Sequence, residues 1–411
     1  MSDAFMSYQP LVNRQSKIIA TRLSLHLGTT GDMKTAVNTL NALADVWPQG
    51  QKSLFIDCVG RADDSAASFS ADFSTDFSTT SPINIGLLAW PVPENATLEL
   101  PGASLLGDGA APFLEALLAQ QPALCLKFDA AAAQAVGTGT SFRFIAFDAK
   151  TYTPAQLKVL AAKTQPYGIA VAFNVETGQD FRACLDAGMN AAASWFFKTP
   201  EGAPAKTLNP GQAQIVRVIN LVRKNADVKE IEAALKQDVA LSYKLLRYIN
   251  SAGFGLSCEI QSFRHAVGIL GYEKLNKWLS LLLATASKDP MAPALMHTAL
   301  TRARLMELLA QGLVDKPERD NLFITGAFSL LDALLGVRMD SILETMHLPD
   351  PVSDALLGNG GFYAPFLQLA LACEGRDGQA IAEQAGMLGL SAHQLNSAQL
   401  QALGFADTME L

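Results

Sequence analysis

The chain has 411 residues, room for two or three domains, and 49% of them are hydrophobic, so large cores are available. A formal net charge of −8, with only 17% charged residues, excludes a surface devoted to nucleic acid. Cys58, Cys125, Cys184, Cys258 and Cys373 are scattered, odd in number and form no CxxC, which fits buried thiols and excludes a disulfide framework or a cysteine zinc site.

The opening MSDAFMSYQP lacks the basic region and apolar core of a secretion signal. Apolar runs at 279–286 and 324–337 are too short to span a bilayer, and Asp332 interrupts the second. The expectation is a soluble, cytoplasmic protein with no membrane insertion.

The first 200 residues alternate short apolar runs with helical patterns. The runs fall at 17–25, 53–58, 96–100, 123–128, 142–147, 168–173 and 191–197. Helical patterns lie between them at 35–47, 111–121, 154–164 and 178–187. Short buried strands with intervening helices predict a parallel sheet covered on both faces. Seven such runs point to a (β/α) barrel, one short of the usual eight strands, and leave open whether it is complete or incomplete. Residues 61–82 break the rhythm with Ser, Asp and Thr, and with Phe69, Phe73 and Phe77 spaced by four. They read as a long surface loop, or as a docking segment whose phenylalanines pack on this or a neighbouring chain.

Residues 198–212 are rich in Pro, Gly and Ala and read as linker, giving a barrel domain over 1–200, a connection at 201–212 and a helical domain over 213–411. Asp227 with Glu230 predicts a capping box. Helix-period leucines then recur at 295–311, 322–335, 341–347, 362–373, 379–388 and 395–403. The fold class expected is therefore α/β followed by all-α.

Within the helical half, Leu245, Leu246, Asn250 and Ser251 precede a glycine turn at Gly253, Phe254 and Gly255. Ile260, Ser262, Phe263, Ala266, Val267, Leu270 and Gly271 follow at fixed spacing. This pattern resembles the HDOD domain, a helical bundle related to metal-dependent HD phosphohydrolases. The resemblance implies a fold that lacks their His-Asp chemistry. Ser329 and Leu330 stand in the places of the His-Asp pair, and no His-Asp dipeptide occurs anywhere in the chain. His26, His265, His297, His347 and His393 show no HxxxH or HExxH spacing, although His265 and His297 have room to meet in space.

The first half resembles the EAL domain, the cyclic di-GMP phosphodiesterase barrel. The match rests on Gln9-Pro10-Leu11-Val12, Lys17-Ile18-Ile19-Ala20, Phe55-Ile56-Asp57, Leu98-Glu99-Leu100, Val175-Glu176-Thr177 and Trp195-Phe196-Phe197-Lys198-Thr199-Pro200. In order with the HDOD pattern behind it, this is the arrangement of EAL–HDOD signalling proteins. The resemblance implies an oxygen-ligand ring for two divalent ions, which would activate a bridging water and clamp a phosphodiester. Here the ring reads as degenerate. Arg22 stands for the signature Glu, Lys127-Phe128 for the Asp-Asp pair, Ala146 for the catalytic Lys, Phe173 for one Glu and Ala193 for the closing Gln. Arg22, Asp57, Glu99, Lys127, Asp148 and Glu176 remain as a vestigial cleft.

Two unit charges 4 Å apart interact by roughly 4 kcal/mol at an effective dielectric of 20, so two cations at former ligand positions would repel a dication by several kcal/mol. The expectation is no metal, no cofactor and no catalytic residue. Arg22 and Lys127 then either pair with the surviving acids or bind the phosphates of a cyclic dinucleotide without cleaving it. No GxSxG elbow, P-loop or dinucleotide fingerprint appears, and the pieces Gly137-Thr138-Gly139 and Gly358-Asn359-Gly360-Gly361 read as loops. The function expected is a non-catalytic signalling scaffold, with a protein partner or a second copy of this chain. A cyclic di-GMP receptor or residual phosphodiesterase is the alternative. Asn250, Phe254, Leu256 and Phe263 are the candidate interaction surface, with buried packing as the competing role for the apolar three.

Overall fold

The computed structural model describes residues 4–27, 33–50, 52–59, 90–102, 115, 119, 122–129, 132–133, 142–199, 205, 207–237, 271–272, 275–276, 279–280, 283 and 289–409. These residues form two compact units. One comprises Met1–Phe197 with Leu371–Ser397, the other Lys198–Ala370 with Ala398–Leu411. The segment 371–397 thus groups with the first unit, where the sequence pattern places it in the helical domain.

The first unit is built on a closed barrel of eight strands in chain order. They are β1 (Phe5–Asn13), β2 (Ile18–His26), β3 (Ser53–Val59), β4 (Ala96–Pro101), β5 (Ala123–Lys127), β6 (Phe144–Asp148), β7 (Ile169–Phe173) and β8 (Ala191–Ala193). The barrel is complete, because β1 supplies the eighth strand that the apolar runs do not reveal. β1 pairs antiparallel with both β2 and β8, and every other pairing is parallel. Pro10 breaks the apolar run of β1 and offers no N–H to the ladder. Its carbonyl still accepts from Ser194 N at 3.2 Å, and a bulge between Leu11 and Val12 absorbs the irregularity.

The barrel interior follows from alternation along each strand. Leu11, Ala20, Phe55, Cys125, Phe144, Ala146, Val171, Phe173 and their small neighbours on β8 fill it. Two residues further along several of these strands come Arg22, Asp57, Lys127 and Asp148, on the same inward face. The apolar plug therefore ends in a polar layer at the C-terminal ends of the parallel strands. Helices α1 (Met33–Ala42), α2 (Pro154–Thr164) and α3 (Gly178–Asp186) lie in this half. Thr153 and Gln156 form a capping box on α2, with Pro154 in its first turn.

The second unit is helical. It contains α4 (Pro210–Arg223), α5 (Val228–Lys236), α6 (Ala292–Leu309), α7 (Lys316–Phe328), α8 (Leu331–Leu335), α9 (Met339–Glu344) and α10 (Asp350–Leu357). Then come, in chain order, α11 (Ala364–Cys373), α12 (Gly378–Met387) and α13 (Ala392–Thr408), of which the stretch 371–397, with all of α12, groups with the first unit. Ile215, Val218, Ile219, Ile231, Leu300, Phe323 and Phe328 are central to its core. Asp227 caps α5 by accepting from Lys229 N at 2.8 Å, a simpler cap than the expected box with Glu230. The apolar stretch 322–335 is two helices, split at Ser329 and Leu330, and α10 is an extra helix with little leucine periodicity. Gly326 sets the approach of α7 to α6, because a Cβ there would fall 2.6 Å from Ala303 Cα. Gly358, Gly360 and Gly361 all take positive φ, so that stretch is a turn, as its composition suggests. Among the described residues no helix is long and apolar enough to cross a membrane.

Candidate functional site: a buried ion-pair cluster in the barrel

Four of the six candidate cleft residues meet. Arg22 Nε donates to Glu99 Oε1 at 2.6 Å, and Arg22 Nη2 reaches Glu99 Oε2 at 2.8 Å and Asp57 Oδ2 at 2.5 Å. Lys127 Nζ donates to Asp57 Oδ1 and lies 3.4 Å from Glu99 Oε2. Strand register explains the meeting. Arg22 and Asp57 lie two residues apart along the β2–β3 ladder, where Arg22 faces Phe55 and Ser24 faces Asp57. Glu99 on β4 faces Cys125, two residues before Lys127 on β5.

The four groups are buried, with side-chain exposures of 1% for Arg22, 4% for Asp57, 0% for Glu99 and 14% for Lys127. Two cations therefore balance two carboxylates inside the barrel. Burial alone would raise the Asp57 carboxyl, but Arg22 and Lys127 overcome it and hold Asp57 well below the usual carboxylate range. Burial likewise works against the Arg22 charge, and Asp57 and Glu99 outweigh it, so the guanidinium stays firmly protonated. The guanidinium also stacks over the Phe173 ring, 4.5 Å from its centroid. Cys125, beneath the cluster, is pushed up by burial and then by Glu99, which leaves an inert thiol.

Asp148 and Glu176 do not join the cluster through a direct hydrogen bond or ion pair. Asp148 accepts from Lys150 N at 2.8 Å and from Asn174 Nδ2 at 3.0 Å. Glu176 pairs with Lys150 Nζ at 2.5 Å in an exposed contact, worth little in water. Asn174 holds a left-handed φ of 57° directly after β7, which points its amide back toward Asp148.

Three residues at this mouth carry no sequence signal. His26 ends β2, is buried, and shares a 2.8 Å hydrogen bond with Ser7 Oγ. Burial lowers its imidazole to about 4, with Arg376 adding to the effect and Asp57 and Asp377 opposing it. Arg376 Nη1 donates to Asn174 Oδ1 at 2.9 Å. Gly378 lies against the His26 ring.

In the helical unit, Arg302 is 2% exposed and its Nη1 donates to Ser329 Oγ at 2.9 Å. Ser329 Oγ in turn donates to Gly326 O at 2.7 Å. Arg302 was legible in principle, because it interrupts an otherwise apolar helical stripe formed by Leu295, Ala299, Met306 and Leu309. His297 Nε2 meets Asp407 Oδ1 at 2.7 Å, and His265 lies outside the described residues. Asn250, Phe254, Leu256 and Phe263 also lie outside them, as do residues 61–82 and Gly137-Thr138-Gly139. Among the described residues no group of three His, Cys, Asp or Glu side chains is placed to hold a metal ion.

The model of the HDOD domain family matches residues 208–334. The chain carries an HDOD domain. Its match includes α4 to α7 with most of α8, and the glycine-turn motif lies inside it. Cyclic di-GMP phosphodiesterase CdgJ of Vibrio cholerae is 30% identical over 233 residues, covering 56% of this chain and 54% of that protein. Uncharacterized protein YuxH of Bacillus subtilis is 27% identical over 232 residues, covering 54% of this chain and 56% of that protein. The chain thus spans about half the length of these curated relatives. The crystal structure of the FimX EAL domain from Pseudomonas aeruginosa bound to c-di-GMP is similar over 48% of this chain and 90% of that chain, with 13% identity and a TM-score of 0.32. A closed barrel followed by an HDOD domain is the order that the sequence motifs predict.

Proposed function

We propose that this protein is a non-catalytic signalling scaffold whose barrel has exchanged a metal site for an internal salt bridge, and whose HDOD domain binds a protein partner. The observation that carries the reading is the occupancy of Asp57 and Glu99 by Arg22 and Lys127. Both carboxylates already have cationic partners inside a nearly water-free layer. A divalent ion would have to displace a guanidinium and an ammonium from buried carboxylates, and would then face both cations at close range. Two unit charges 4 Å apart interact by roughly 4 kcal/mol at an effective dielectric of 20, and a dication doubles that repulsion. Hydrolysis through activated water needs the ions that this balance opposes. Acting by contact is the course left to a barrel whose charges are satisfied.

The test is affinity capture from native lysate with the full chain as bait, followed by size-exclusion chromatography of the purified pair. The reading expects a defined second protein at fixed stoichiometry. A chain that stays monomeric and captures nothing beyond an unrelated control bait contradicts it.

A second reading has one observation in its favour: the 30% identical relative is named a cyclic di-GMP phosphodiesterase. Under it, this chain is a cyclic di-GMP receptor or a residual phosphodiesterase. Calorimetric titration with cyclic di-GMP separates the readings, since a receptor gives saturable heat without metal and a scaffold gives none.

A further inference from the structure

We propose that a groove along one face of α4 is where the helical unit grips its protein partner, and that the partner offers an acidic segment whose apolar side chains are flanked by carboxylates. This rests on the reading above that the HDOD domain binds a protein, and it names the face and the chemistry of the occupant.

The groove belongs wholly to the second unit, holds about 480 Å³ and is open to solvent. Ala213, Val216, Arg217, Asn220 and Lys224 line it at helical spacing, so a single stripe of α4 forms its length. From Ala213 to Lys224 that stripe runs about 16 Å, at 1.5 Å per residue. Leu208, Val216 and Leu221 supply an apolar lining; Val216 is buried in the helical core and the two leucines pack against it. Thr345 and His347, which follow α9, line it from a second segment. That segment is stapled to α4. Asn220 Nδ2 donates to Thr345 O at 2.9 Å, and Asn220 Oδ1 accepts from His347 N at 3.0 Å. Arg223 Nε donates to His347 O at 3.0 Å. These bonds to main chain shape the groove in advance, which spares an incoming segment the cost of ordering it.

Charge decides the occupant. Arg217 and Lys224 are exposed, and no carboxylate lines the groove among the described residues. Glu344, next to Thr345 in the chain, is exposed but stands outside the lining. Arg217 Nη1 donates to the neutral Gln237 Oε1 at 3.1 Å, and neither cation makes an ion pair among the described residues. On a chain of net charge −8 this is a local reversal of sign. The dipole of α4 accounts for a cation at its C-terminal end, as at Lys224, but not for Arg217 more than a turn earlier. The two cations stand seven residues apart, about 10 Å along the helix, which spaces them for two anionic groups rather than one phosphate. Apolar surface between separated cations fits a peptide segment that brings both kinds of side chain.

A phage-displayed library of random peptides, selected on the immobilised full chain, tests the groove. Enriched peptides should combine Asp or Glu with Leu, Ile or Phe. The strongest of them, synthesised with a fluorophore, is then titrated by anisotropy. Arg217→Glu with Lys224→Glu should weaken its binding by at least about tenfold. Ala213→Trp crowds the groove and leaves both cations in place, and should weaken it by roughly fivefold. All three positions are exposed, and an unchanged melting temperature shows that the fold is kept. If either variant unfolds, Lys224→Gln should still weaken binding by roughly threefold. No enrichment, enriched peptides without acidic residues, or folded variants that bind like wild type overturn the proposal. Polyglutamate, inorganic phosphate or RNA competing as well as the enriched peptide marks a bare anion site and overturns it too. The lysate capture described above separates this claim from the scaffold reading. A native partner still captured by the Arg217→Glu, Lys224→Glu chain keeps that reading and rejects the groove. Peptide binding that obeys the groove, with no native partner captured, keeps the groove and rejects that reading.

Discussion

Replacing Arg22 with Met keeps an unbranched side chain of similar volume in the barrel and removes only the charge and its donors. Arg22 is 1% exposed and makes three hydrogen bonds of 2.5 to 2.8 Å to Asp57 and Glu99. Each ion pair contributes roughly 4 kcal/mol of gross attraction at an effective dielectric of 20, so the pairs with Asp57 and Glu99 sum to about 8. Burying the guanidinium costs several kcal/mol of that, and the net loss on breaking a buried pair is about 3–5 kcal/mol. Most of it comes from leaving Asp57 and Glu99 close together with Lys127 alone to balance them. Native-state hydrogen exchange of β2 to β5 at pH 7 reads the loss locally, as a rise of roughly a hundredfold to a few thousandfold, at about 1.4 kcal/mol per tenfold. Arg22→Met combined with Glu99→Gln removes one charge of each sign and should recover about half of the loss, a coupling that independent sites would not show. A single variant that loses less than about 1 kcal/mol, or a double variant that loses the sum of both singles, refutes the argument that this pair neutralises the cleft.

Other outcomes follow from the same contacts. His26 is held at about 4 when folded against 6.5 when free, so the unfolded chain binds the extra proton first. Stability of the barrel is full above pH 6.5 and is lost as pH falls toward 4, by roughly 3 kcal/mol at 1.36 kcal/mol per unit; His26→Asn should flatten that part of a urea-denaturation series. Gly326→Val forces α6 and α7 apart and should cost about 1–3 kcal/mol, read by exchange in α7. Asn396→Ala leaves Met6 N and Ala4 O unpaired inside the unit and should cost about 1–3 kcal/mol, with deprotection of the Met6 amide as its mark. The Cys184 thiol is raised to about 11 by burial and then by Asp180, so at pH 8 a thiol-directed disulfide reagent should label it only after denaturation, as peptide mass spectrometry will show.

The barrel was legible where strands are mostly apolar. Runs at 53–58, 96–100 and 123–128 lie on β3, β4 and β5, because short strands buried on both faces stay dominated by apolar residues even where Asp57, Glu99 or Lys127 interrupts them. β1 escaped as a strand because Pro10 interrupts its pattern. Helices bounded by a cap and a proline, such as α2, match their predicted residues, whereas the split at Ser329 and Leu330 is set by tertiary packing and leaves no gap in the leucine period. In the cleft, the EAL resemblance picks out Arg22, Asp57, Glu99 and Lys127 together with Asp148 and Glu176, and charges in apolar strands need partners, which the first four find in one another. The same reasoning could not tell them from Asp148 and Glu176, which sit where the barrel meets solvent and find local partners instead. Arg376 and Gly378 were invisible, for they come from a helical segment about 200 residues beyond β7, and nothing local marks a residue as belonging to a distant mouth.

The most direct measurement is turnover: purified full-length protein incubated with cyclic di-GMP and Mg²⁺ or Mn²⁺, with chromatography of the nucleotides over hours. The ion-pair account predicts that the cyclic dinucleotide is recovered intact at either metal and that neither ion binds the barrel saturably. Linear dinucleotide that accumulates in proportion to enzyme, requires the metal and disappears with Asp57→Asn would contradict it.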